Sequence, residues 1–366
     1  MNKHFSLRGD REPMSLLWTE YEAEFQDLTD AAFQYECTAH PDYYARLSPR
    51  VERIIYRDTR YNADYLYTAY LLKDDKIFSD YAKWLFELMA SILKDRQSRE
   101  ETCEYVLDNF EALRHGVLTV ASEEKRPRMQ ALLDIGGQSG REQAALPPQA
   151  IGRPTRDENE IEAYMECLLA KDSKRALDLI QKYAAQGIPL NDLYAEILAE
   201  SMRRVGDLWH TARITVDTEH YCTSVTQMAM AQMYPALFSR KRRGRTILCA
   251  CPGTELHELG ARMVADLFEN DGWDSIYLGA AVPEDAMLDA VRENKPDLVA
   301  LSVTMPQHLL TCQTLAQAIR TEFPDIKIAV GGKAFESTHE IWRQWPVDLY
   351  TRDARDFLQK ANALFD

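Results

Sequence analysis

The stretch Arg245-Thr-Ile-Leu-Cys-Ala-Cys-Pro-Gly-Thr-Glu-Leu-His-Glu-Leu-Gly260 decides the fold. Its first seven residues form a short apolar run of strand length, closed by Pro252-Gly253. A helical pattern from Glu258 to Asn270 follows. The alternation then repeats. Ser275 to Gly279, Asp297 to Ser302, Lys327 to Gly331 and Asp348 to Tyr350 read as strands. Pro283 to Asn294, Leu309 to Glu322 and Arg352 to Phe365 read as helices. Strands alternating with helices predict a doubly wound parallel sheet over 245–366. Ligands of such sheets bind at the C-terminal strand ends. His257, Ser302 and Gly331 all fall at or just after strand ends, on that one edge.

Working outward, residues 159–239 carry four amphipathic segments with short joints: Glu160–Ala170, Ser173–Gln186, Asn191–Leu208 and Val216–Phe238. They predict a four-helix-bundle cap, with Asp172 or Ser173 and Asn191 as N-caps and Gly187 as a C-cap. Residues 121–158 contain Gly-Gly, Pro-Pro and mixed charge and are expected to be a linker, helical only around Met129 to Asp134. Residues 1–120 predict a helical domain with its own core, from periodic apolar residues in Leu16–Phe33, Tyr65–Leu72, Phe78–Leu93 and Thr102–Leu118. The fold class is therefore multidomain α and α/β.

The 366 residues carry a formal charge of −15, which argues against direct nucleic-acid binding. The basic run Arg240 to Arg245 reads as a solvated linker rather than an anion contact. No apolar run has membrane-spanning length, and the N-terminus has no secretory apolar region. Seven scattered cysteines then read as reduced thiols, and a cytoplasmic location is expected.

Glu255-Leu-His257-Glu-Leu-Gly260 is followed, 41 residues on, by Ser302-Val-Thr304 and, 26 further, by Gly331-Gly332. Together these resemble the DxHxxG, SxL and GG signature of cobalamin-binding Rossmann-like (flavodoxin-like) domains, with Glu255 in place of Asp and Thr304 in place of Leu. The resemblance implies cobalamin held base-off through His257 as the lower axial ligand of cobalt. Its nucleotide tail would lie in a groove beside Gly260, Ser302, Thr304 and Gly331-Gly332. An imidazole is a good cobalt ligand, and Glu255 is placed to accept its other N–H.

Within the cap, Trp209-His210 and Glu219-His220 stand nine residues apart, counting between Trp209 and Glu219. This resembles the W-x9-EH pattern of CarH/LitR-type cobalamin photoreceptors. The resemblance covers about residues 160–366 and implies adenosylcobalamin as the light-absorbing cofactor. Trp209, Glu219 and His220 would contact the upper ligand, and His210 would become a second cobalt ligand after light. The family's MerR-type DNA-binding domain has no counterpart in residues 1–150. The N-terminal helices are expected to self-associate or to meet a protein partner. A photosensor rather than an enzyme is the leading expectation. A corrinoid methyl carrier using methylcobalamin and a light-independent B12 sensor are the alternatives.

Overall fold

The computed structural model describes residues 22–148, 155, 157–238 and 241–365. The expected helical start at Leu16–Tyr21 and residue Arg240 lie outside them. The C-terminal part is a five-stranded parallel sheet in the order β2-β1-β3-β4-β5. Its elements are β1 (Thr246–Pro252), α12 (Leu259–Asp271), β2 (Asp274–Val282), α13 (Glu284–Asn294), β3 (Leu298–Ser302), α14 (Leu309–Glu322), β4 (Lys327–Gly331), β5 (Leu349–Thr351) and α15 (Ala354–Phe365). The order in which strands are added reverses between β1 and β3, the switch point at which sheets of this kind bind ligands. Short 3₁₀ turns, Pro306–His308 and Lys333–Ser337, follow β3 and β4 on this edge.

The cap consists of α7 (Glu158–Leu169), α8 (Ser173–Ala185), α9 (Leu190–Asp192), α10 (Ala199–His210) and α11 (Val216–Leu237). A π-helical stretch, Leu193–Leu198, joins α9 to α10 within the segment expected as one helix. Its Tyr194 is buried and donates to Asp266 of α12 at 3.0 Å, binding cap to sheet. Asp172 caps α8 as expected, accepting from the Arg175 N–H at 3.0 Å. The cap of α9 is Pro189 rather than Asn191.

The N-terminal unit is α1 (Glu22–Ala39), α2 (Pro41–Tyr44), α3 (Pro49–Leu71), α4 (Asp75–Leu93), α5 (Arg99–Val120) and α6 (Arg126–Ala144). Two expectations are corrected here. Much of the 121–158 segment is not linker, because α6 fills Arg126–Ala144 and buries Met129, Leu132 and Leu133. Gly136 serves close packing: a Cβ there would strike the Phe78 ring of α4. The N-terminal unit also lacks a separate core. Tyr65, Leu66 and Ala69 of α3 belong to the same buried cluster as Val303, Leu309 and Val330 of the sheet domain. Shared apolar burial of this kind docks the unit on the sheet.

The basic run is not a free patch. Arg242 pairs with Glu269 at 2.5 Å, Arg243 with Asp271 at 2.9 Å and Arg245 with Asp297 at 2.8 Å. All seven cysteines are unpaired. No helix among the described residues is long and apolar enough to cross a membrane.

Candidate cofactor site

Glu255 lies in the loop after β1 and is fully buried. Its Oε1 accepts from the His257 backbone N–H at 3.0 Å and from His257 Nδ1 at 2.6 Å. Its Oε2 accepts from the backbone N–H groups of Thr304 and Met305, each at 2.8 Å. Burial alone would raise the pKa of this carboxyl. The bonds from His257 and from the backbone outweigh burial and bring it down to about 2.

A carboxylate only accepts, so the proton of this pair sits on Nδ1. Nε2, on the opposite side of the ring, is aimed away from Glu255 in a side chain that is 55% exposed. Glu255 thus sets both the tautomer and the aim of His257. The hydrogen bond to Glu255 raises the His257 pKa against the effect of burial; the Glu219 charge adds to the rise and Lys333 opposes it.

Beside this loop a cavity of about 200 Å³ runs along the strand ends, lined by Gly260, Ser302, Gly331, Gly332, Thr351 and residues of α12 and the cap, Tyr194 among them. A Cβ on Gly260 would meet nothing within 4 Å. Gly332 has φ +101° and sits against the Val303 backbone, where a side chain would collide with the carbonyl. Thr304 takes a further part in the site through its backbone amide, which holds Glu255.

One imidazole on a buried carboxylate is too few donors for a bare metal ion. It suits a metal complex that brings its own equatorial ligands, and the adjoining cavity suits a bulky tail on that complex. The residues therefore fit a corrinoid.

The cap supplies the facing groups. Trp209 and His210 end α10, and Glu219 and His220 lie in the first turns of α11. His210 Nε2 donates to the Trp84 carbonyl at 2.9 Å, and its ring stacks on the Trp84 indole with centroids 5.2 Å apart. Burial lowers the His210 pKa, while the bond to Trp84 works the other way. Glu219 joins His220 Nδ1 at 2.5 Å and accepts from Thr223 Oγ1 at 3.0 Å. His220 itself is exposed. Lys333, just after Gly332, is near enough to both His257 and His210 for its charge to lower the pKa of each.

The sequence gives no sign of five participants: Met305, Lys333, His308, Tyr65 and Trp84. His308 is buried near His257, and burial lowers its pKa. The phenol of the buried Tyr65 is raised by burial and, further, by the charges of Asp64 and Glu255. Tyr65 and Trp84 belong to a helical aromatic stripe that reads as ordinary core, the one signal that could have pointed to them.

Residues 245–354 match the family described as B12 binding domain, and residues 160–234 match a second family of the same description. Among curated proteins, the HTH-type transcriptional repressor CarH of Myxococcus xanthus is 26% identical over 191 residues, 52% of this chain and 62% of that protein. The chain thus spans less than two thirds of that relative. Trimethylamine corrinoid protein 1 of Methanosarcina acetivorans is 23% identical over 201 residues, 53% of this chain and 91% of that protein. The monomethylamine corrinoid protein of Methanosarcina barkeri superposes with a TM-score of 0.51 at 18% identity, covering 57% of this chain and 99% of that one, a likeness of fold. The chain carries B12-binding domains homologous both to the CarH repressor and to corrinoid proteins, and its cofactor is of the cobalamin type.

Proposed function

We propose that this chain is a cobalamin-dependent light sensor that holds adenosylcobalamin between the His257 loop and the cap. What supports the reading is the spacing of Trp209-His210 and Glu219-His220 in a cap that precedes the His257 loop, with the Glu219 charge acting on the His257 ring. Bound adenosylcobalamin supplies a weak cobalt–carbon bond that visible light cleaves. The chain's own residues do the rest. Glu255 would orient His257 to hold the cobalt, and Trp209, Glu219 and His220 would line the space for the adenosyl group. Removal of that group would leave Trp209 without a packing partner and His210 free to serve as a further ligand. A buried group that bridges two domains sets their relative packing, so its loss is a signal. The N-terminal unit is the proposed output, by self-association or by contact with a protein partner.

A second reading, a corrinoid methyl carrier, draws on the extent of the match: about half of this chain spans 91% of the trimethylamine corrinoid protein. A carrier must open its upper face to a partner enzyme, whereas here the N-terminal unit also meets the cap there. Green-light illumination of the adenosylcobalamin-loaded protein separates the two. The sensor reading expects an irreversible spectral change with a change of size or shape on a sizing column. Identical spectra and sizes in dark and light, together with methyl transfer to a thiol or tetrahydrofolate in the presence of a partner enzyme, would establish the carrier.

A further inference from the structure

A single helix of the N-terminal unit touches both sides of the candidate site. At its start, the buried Asp74, N-cap of α4, accepts from the His339 backbone N–H at 2.6 Å and from His339 Nδ1 at 2.8 Å. Lys76 donates to the Glu336 carbonyl at 2.6 Å. His339 and Glu336 both follow Gly331-Gly332 on the sheet edge. Ten residues along α4, about 15 Å of helix, Trp84 holds His210 of the cap by a carbonyl bond of 2.9 Å and by ring stacking. The Trp84 ring also lies 6.4 Å from that of Trp209. Behind these contacts Tyr65 of α3 stacks on Tyr81 of α4 with centroids 3.8 Å apart, and Tyr81 lies 6.1 Å from Trp84. The cap and the α12 and α15 side of the sheet have buried clusters of their own without α4. The tie to His210 is therefore a contact added to units that pack without it.

An Nε2–H donated to a carbonyl cannot also be a metal ligand through that nitrogen, because ligation needs its lone pair. We propose that Trp84 is the positioning residue that keeps His210 off cobalt, and that α4 is the element through which His210 release reaches the N-terminal unit. This rests on the reading that His210 moves to cobalt when the upper ligand is lost. While the upper group is in place, carbonyl and indole of Trp84 keep the imidazole at the end of α10. When His210 leaves, α4 loses its carbonyl and stacking tie to the end of α10 while its hold on His339 and Glu336 remains, so the segment around Trp84 is less restrained.

The test uses the full chain loaded with adenosylcobalamin, with hydrogen exchange of the α4 amides and absorption spectra read before and after green light. The wild-type protein is expected to gain a bis-histidine spectrum, and α4 exchange around Trp84 to rise about three- to tenfold, the factor that one aromatic pair is worth. His210→Ala is expected to bind the cofactor and to bleach with no rise in α4 exchange. Trp84→Ala is expected to show the raised exchange already in the dark and without cofactor, and Trp84→Phe to restore protection. A bis-histidine spectrum with unchanged α4 exchange, or the same rise in His210→Ala as in wild type, would overturn this proposal and leave the sensor reading standing. Absence of any light-induced spectral change would overturn the sensor reading, and this proposal with it.

Discussion

Glu255 Oε1 stands 2.6 Å from His257 Nδ1, while the other oxygen of the same carboxylate is held by two backbone amides from beyond β3. The ligand histidine of the β1 loop is thereby tied to a second loop of the sheet. Glu255→Gln keeps the size but places amide hydrogens where only acceptors fit. It is expected to weaken cobalamin binding by about 10- to 100-fold, as loss of a partner behind a metal-bound histidine does. An absorbance titration measures this, and unchanged affinity would count against the ligand role of His257.

Gly260 and Gly332 make a contrasting pair. Gly332→Ala forces a side chain into a left-handed backbone against the Val303 carbonyl. It is expected to cost about 1–3 kcal/mol of stability, read by chemical denaturation. Gly260→Phe points into open space beside the cavity. It should leave the melting temperature of the cofactor-free protein in place and reduce its affinity for cobalamin. A variant that binds normally would show that the tail lies elsewhere.

Asp266 gives a pH dependence of stability. Burial raises its pKa from 3.8 to about 6, with the Tyr194 hydrogen bond opposing. The unfolded chain loses this proton near its ordinary value, and the folded chain holds it until about pH 6. Stability therefore falls as pH rises through that window, and the full cost of the buried charge persists above it. Asp266→Asn keeps an acceptor for Tyr194 and is expected to add about 1–3 kcal/mol at pH 7.5. That gain should vanish below about pH 4. Thermal unfolding across pH 4–8 checks it, and a gain independent of pH would contradict the assignment.

Asp74 and His339 are a long-range pair joining α4 to the sheet edge. In a double-mutant cycle, Asp74→Ala and His339→Ala are expected to couple by about 0.5–3 kcal/mol. Additive losses would mean that Asp74 serves only as the cap of its own helix.

Much of this molecule was legible because its sheet is locally written. Lys327–Gly331 emerges with the expected bounds, since a short apolar run between a turn and a double glycine has few other uses. The glutamate, histidine and glycine of the β1 loop are near neighbours in sequence, so their site could be read as one motif. What failed depends on distant partners. Gly136 of α6 looked like linker because the Phe78 ring packed against it lies 58 residues away in sequence. The Thr304 amide that holds Glu255 was not legible, because a sequence does not display which backbone N–H groups meet a distant carboxylate. Trp84 was hidden in an aromatic stripe, and only the fold brings it to His210.

The most direct test of cofactor placement is electron paramagnetic resonance of the cobalamin-loaded protein, reduced to the divalent cobalt state, with histidine labelled by nitrogen-15. The account predicts that cobalt's axial hyperfine lines split into doublets, the mark of one labelled imidazole, and that His257→Ala abolishes the splitting. Triplets in the labelled protein, the mark of the cofactor's own unlabelled benzimidazole, would contradict it.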